Sequence, residues 1–222
     1  MITDATTSEA LSGRGGTSTT LRATNLWLFD TEFDLALGAS IDDPRALLLA
    51  SAAASCFPLL DRRTALDRAA LDRVAAGRVD AVEQALRRLA TSLGVAADPA
   101  LHLATRRAVF LTGAPPDLVT SVDDGRNGVT VTTRGAIATV LPHCTRFLDD
   151  QGRGVPLTLE ARTGLDRAVA RYTAEGYRVL AVGHRALGVG RPAPADQQDA
   201  ESDLVLLGLI AVADRTAHPA TI

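Results

Sequence analysis

Lysine is absent from this chain: all 23 basic residues among its 222 are arginine. With no lysine there is no phosphate-binding loop of the Gly-Lys-Ser/Thr type. Alanine is abundant as well, so the arginine preference reflects the composition of the source genome more than a mechanism. No Gly-x-Ser-x-Gly elbow and no His-Glu-x-x-His pair occur either. Only two cysteines are present, Cys56 and Cys144. They lie too far apart for a metal or redox motif and are expected reduced, as in a cytosolic domain. Long apolar runs are missing too. The longest, Ala46 to Leu60, is broken by Ser51, Ser55 and Pro58 and falls short of the roughly 20 residues of a membrane helix. The N-terminus lacks a basic start followed by an apolar core, so no secretory signal is expected. The expectation is a soluble, cytoplasmic protein with no membrane-spanning segment. A net charge of −3 leaves no electrostatic footprint for nucleic acid. The four histidines, His102, His143, His184 and His218, are scattered and read as surface or satisfied residues, not ligands. Asp30, Glu32 and Asp34 alternate as on a solvated strand edge, so no metal site is expected. Asp123-Asp124 reads as part of a turn, not as an acid pair.

What is present suits one large domain or two small ones, and a hydrophobic content of 46% is ample for a core. Residues 1–20, rich in Ser, Thr and Gly, are expected to be disordered. Residues 21–214 form the folded region and 215–222 a tail. Leu26 to Phe29 reads as a short strand. Asp42, Asp43 and Pro44 start a helix, with an acidic N-cap and Pro at the first position, that runs to Phe57. Leu66 to Val74 and Val79 to Leu93 carry helical spacing, are closed by Gly77 and Gly94, and make a helical hairpin. Arg87 and Arg88 sit near the end of the second helix, where positive charge suits its dipole. Leu101 to Thr112 and Val129 to Thr133 read as strands. Pro115 opens a loop, and Asp123 to Gly128 carries turn chemistry. Gly135 to Leu141 reads as a short helix. Thr158 caps a longer helix with Leu159, Leu165, Val169 and Tyr172 on one face. Val179 to Val182 and Leu204 to Ala213 are short apolar runs of strand type, joined by a Gly- and Pro-rich loop. Helices cluster instead of alternating with strands. This favours an α+β fold, a mainly antiparallel twisted sheet with helical hairpins packed on it. The residues alone define a soluble α+β domain.

Several motifs add to this. Thr64-Ala-Leu-Asp-Arg-Ala-Ala-Leu71 is similar to an Asn-Pro-Leu-Asp-x-Ala-x-Leu helix. Arg134-Gly135-Ala136, Val140 and Cys144-Thr145 are similar to Lys-Gly-Ala…Leu…Cys-Thr. Pro156-Leu157, Gly176-Tyr-Arg-Val-Leu-Ala and Glu201-Ser-Asp-Leu follow in order. Together they resemble the nucleotide-binding domain of P-type cation-transporting ATPases, and the last segment is closest to the magnesium-importing branch. That resemblance implies a P-type-ATPase-like fold of the class above, binding ATP with magnesium as its counter-ion. It places the base beside Asp67, Leu101, Arg134 and Gly135, and the phosphates near Arg178, with Arg106 retained from an Arg-Arg pair. Pairing with an intact pump or another protein belongs to the rival expectation, an interaction module.

The departures bear on function. Leu101 stands where the resemblance puts a stacking Phe, which removes roughly 1–3 kcal/mol of base stacking, a tenfold to hundredfold loss in affinity or more. Arg134 replaces a lysine and keeps the charge while changing its shape. Ala108 and Val109 replace Met and Ser. Gly16-Thr-Ser-Thr-Thr-Leu21 stands where Asp-Lys-Thr-Gly-Thr-Leu belongs, and a glycine cannot form an acyl phosphate. Asp214-Arg-Thr-Ala replaces Asp-Pro-Pro, and the later phosphatase-like loops are absent. The expectation is a degenerate, stand-alone nucleotide-binding domain with weak ATP affinity and no hydrolysis or transport of its own. The alternatives are an interaction module presenting the Leu66 to Leu93 hairpin, or a remnant or piece of a longer pump.

Overall fold

The computed structural model describes residues 21–35, 40–56, 81–95, 106–112, 118–125 and 128–214. Nine strands form one sheet: β1 Leu21–Leu28, β2 Thr31–Asp34, β3 Arg106–Thr112, β4 Leu118–Gly125, β5 Gly128–Ala136, β6 Cys144–Leu148, β7 Gly154–Pro156, β8 Arg178–Ala186 and β9 Leu204–Asp214. The main path runs β2-β1-β9-β8-β5-β4-β3, and β6 and β7 lie off it. Every pairing is antiparallel except β6 beside β9. The fold is therefore the α+β class that the clustering of helices predicts.

Among the described residues five α-helices accompany the sheet: α1 Pro44–Ser55, α2 Ala81–Ser92, α3 Ile137–Val140, α4 Leu159–Ala174 and α5 Gln197–Ala200. Asp43 caps α1, its carboxylate accepting from Arg45 N at 2.8 Å. Alanines and Leu49 on α1 and Val82, Leu86 and Leu89 on α2 pack with Leu180, Val182, Ile210 and Val212 on one face of the sheet. Leu165, Ala168 and Tyr172 of α4 pack on the other face, with Ala181, Leu204, Leu206 and Leu209. The second helix of the expected hairpin is thus α2, while the first, with Asp67, lies outside the described residues.

Several local expectations are corrected. β1 begins at Leu21, five residues earlier than expected, because its pairing with β9 runs to Asp214. The stretch read as a loop after Pro115 contains β4, a central strand whose Thr120 and Ser121 face buried surroundings on both sides of the sheet. Asp123 and Asp124 belong to this strand, in register with Thr130 and Val129, so the turn is shorter than the acidic cluster suggests. Gly135 lies in β5, which runs to Ala136, and the short helix starts only at Ile137. Arg87 lies mid-helix, 2.8 Å from Glu83 one turn earlier, and no basic residue occupies the last turn of α2. Leu159 is 81% exposed, since it is the first residue of α4 and precedes the turn that reaches the sheet. Strands β6 and β7 have too few residues to show a period of two.

Candidate functional site

Strand register decides which candidate residues meet. Arg134 on β5 stands between Val119 on β4 and Val182 on β8. Directly opposed residues share a face, so Arg134 lies on the side covered by α1 and α2. Arg178, the first residue of β8, shares that side by strand alternation with Leu180 and Val182. It is exposed and sits about 13 Å along the strand from Val182, at 3.3 Å per residue. Gly135 is buried against the opposite register, facing Leu118 and Ala181. It therefore contributes backbone, not side-chain surface, next to Arg134.

Arg106 does not join this pair. It opens β3 opposite Asp123, which in turn registers with Thr130. The ladder places Arg106 and Arg178 eight positions apart along the sheet, about 26 Å at the rise of an extended strand, with β4 and β5 between them. One nucleotide does not span both. Leu101 and Asp67 lie outside the described residues.

Arg134 is 7% exposed, and its Nη1 has no hydrogen-bond partner. A guanidinium cannot shed its charge and has only donors, so a dry, unpaired N–H is costly unless a ligand meets it. Two positions back on β5, Thr132 faces the same side. It lies between Ser121 of β4, which is fully buried with an unpartnered Oγ, and His184 of β8. Thr132 Oγ1 and His184 Nδ1 are 3.4 Å apart, and burial holds the His184 pKa below its usual value. Cys56, the residue after α1, stands over the same strands, its Sγ 2.9 Å from the Val119 carbonyl and 3.3 Å from that of Thr132. Ser121 went unnoticed in the sequence because β4 carries no long apolar run, and Thr132 because an expected strand does not reveal which residue of a neighbouring strand it opposes.

On the other face, two motifs serve the fold. Glu201 is buried and accepts from Thr120 Oγ1 at 2.7 Å and Gln197 Nε2 at 3.0 Å. Gln197 Nε2 also reaches Thr112 at 2.7 Å. Asp203, held at φ +51°, accepts from Thr145 Oγ1 at 2.5 Å and from Arg146 Nη2 at 3.0 Å. The Glu-Ser-Asp and Cys-Thr segments are thus two halves of one clasp between β6 and the start of β9. A shallow groove of about 240 Å³ on the α4 side, lined by Trp27, Gly164, Arg167, Ala168 and Arg171, lies away from Arg134.

Asp30, Glu32 and Asp34 flank the edge hairpin β1–β2. Asp30 meets Arg45 at 2.8 Å, and Glu32 accepts from Arg171 and Tyr172 at 2.5 and 2.6 Å. Protein groups therefore satisfy the Asp30 and Glu32 carboxylates. Among the described residues no cluster of three His, Cys, Asp or Glu side chains could hold a metal.

An open, mainly antiparallel sheet with helices on both faces, carrying a dry arginine at its centre, defines an α+β domain with a built polar floor under α1. Residues 117–217 match the family model of the P-type ATPase cytoplasmic domain N. This stretch, from the residue before β4 to beyond β9, is similar to that nucleotide-binding module; β1 to β3 and α1 and α2 lie outside the match. No curated protein matches the chain. No described helix is long and apolar enough to cross a membrane.

Proposed function

We propose that this chain is a degenerate nucleotide-binding module of the magnesium-transporting P-type ATPase lineage, working on the cytoplasmic side and binding ATP weakly, with magnesium as the nucleotide's counter-ion. The observation that carries the reading is Arg134. It occupies the lysine position of a Lys-Gly-Ala segment, inside the matched stretch, and its buried Nη1 is unpartnered. Arg178, exposed on the same face, offers the charge for the phosphates. Arg106 is too far along the sheet to share this task. The sequence has no Asp-Lys-Thr segment to accept a phosphoryl group, so the role is binding.

A thermal-shift titration with ATP and ADP, with and without magnesium, tests this. Ligand that binds only the folded state adds about 2.7 kcal/mol at a hundredfold excess over Kd. The expected result is a saturable rise in Tm that Arg178→Ala reduces. No rise at millimolar nucleotide would overturn the reading.

A further inference from the structure

We propose that the groove between α4 and β1 docks a partner protein through a segment that carries an apolar residue beside a carboxylate. Five residues line it: Trp27, Gly164, Arg167, Ala168 and Arg171. Gly164 is the observation that points to a use. It lies inside α4, where glycine is a poorer helix former than alanine because it gives up the most backbone freedom. Close packing does not demand it, since a Cβ built there meets nothing within 4 Å. Nor does a positive φ require it. Alanine would therefore suit the helix better, and a larger side chain would fill the groove. The absent side chain, with Ala168 one turn on, keeps open a cleft of about 240 Å³ walled by Trp27.

Every charged group on the lining is cationic. Arg167 is exposed and makes no ion pair among the described residues. Arg171, one turn on, donates from Nη2 to Glu32 and lies 4.9 Å from the Tyr172 ring centre. Its guanidinium is thus held in place with donors to spare. A carboxylate meets such a pair through charge-assisted bonds, and arginine and tryptophan are the residue types that anchor protein interfaces. The cleft is shallow and smaller than the roughly 300–1,000 Å³ of small-molecule pockets. A free small acid would stay largely in water here, whereas a protein segment brings its own cover. Trp27 and α4 lie on the face of the sheet opposite Arg134, so this docking is independent of the nucleotide-binding reading.

Trp27 is the lone tryptophan, so its emission reads occupancy of the cleft. The test titrates the whole protein with the tryptophan-free peptide acetyl-Glu-Leu-Asp-Phe-Glu-amide, with its neutral isostere acetyl-Gln-Leu-Asn-Phe-Gln-amide, and with phenylacetate. The acidic peptide is expected to give a saturable change and to bind about fivefold or more tighter than the isostere at low salt, as one exposed charge pair allows. The difference should shrink at about 1 M salt. Arg167→Gln should bring the two peptides level. Gly164→Leu should raise Tm by about 2–4 °C, as exchange of a helical glycine for a good helix former does in a chain of this size. The same variant should weaken the acidic peptide by about tenfold or more. Arg167 is exposed, so Arg167→Gln keeps the test decisive should Gly164→Leu fold poorly. Unchanged binding in folded Gly164→Leu, equal affinity for both peptides in the wild type, or no saturable change at millimolar peptide would each overturn the proposal. Phenylacetate binding as tightly as the peptide would overturn the protein partner in favour of a small acid.

Discussion

At the scale of single residues, burial sets the chemistry of the titratable groups. His184 has its pKa lowered by desolvation from an ordinary 6.5. Above that value it is neutral in both folded and unfolded chains, and its full contribution to stability is present. As pH falls below it, the unfolded chain takes up a proton that the folded chain resists, so stability declines by up to about 1.4 kcal/mol per pH unit. Urea unfolding at pH 7.5 and pH 5.5 should show this loss in the wild type and a smaller one in His184→Gln. The carboxylates act in a lower window. Asp43 is lowered chiefly by the Arg45 side chain, and Asp149 chiefly by the Arg153 backbone N–H. Their contributions are lost only as pH falls past their ordinary value of 3.8. Cys144 is pushed by burial to about 12, so its thiolate is scarce at neutral pH. A disulfide reagent at pH 8 should modify it only as fast as the protein unfolds, and rapid labelling of Cys144 in the native protein would contradict its placement.

At the scale of elements, β9 is the keystone, since it pairs with β1, β8 and β6. Gly208 interrupts its apolar run for a steric reason. It has φ +155°, and a Cβ there would collide with the Trp27 carbonyl and crowd Leu28 and Leu49. Gly208→Ala should cost about 1–3 kcal/mol, the usual price of an overpacked core, read as a lower urea midpoint with an unchanged slope. Gly176 has a different role: at φ +82° it closes α4 and turns the chain into β8. Both glycines stand out in the sequence, but only the strand register separates a turn from a close approach.

At the scale of the whole molecule, the two core clusters share the central strands, with alternate residues of β8 and β9 feeding opposite faces. Unfolding one face therefore exposes the backbone that supports the other. The lone tryptophan, Trp27, sits on the α4 side, so its fluorescence reports that cluster while far-UV circular dichroism reports the whole chain. Their urea transitions are expected to coincide. A separate, earlier fluorescence transition would show that the α4 face unfolds independently.

The sequence by itself determined the α+β class, the capped starts of α1 and α4, and the presence of strands β8 and β9. These rest on local signals: periodicity, capping residues, glycine stops and short motifs with their own spacing. Only the tertiary structure decided which residues converge. It revealed β4 where Pro115 suggested a loop, because a central strand buried on both faces needs neither a long apolar run nor clean alternation. It separated Arg106 from Arg178 through a ladder register that no spacing in the chain records. It also left Arg134 Nη1 and Ser121 Oγ dry and unpartnered on one face, a consequence of strand order and helix cover. Polar satisfaction is a property of neighbours in space, and residues 121 and 134 become neighbours only when β4 and β5 pair.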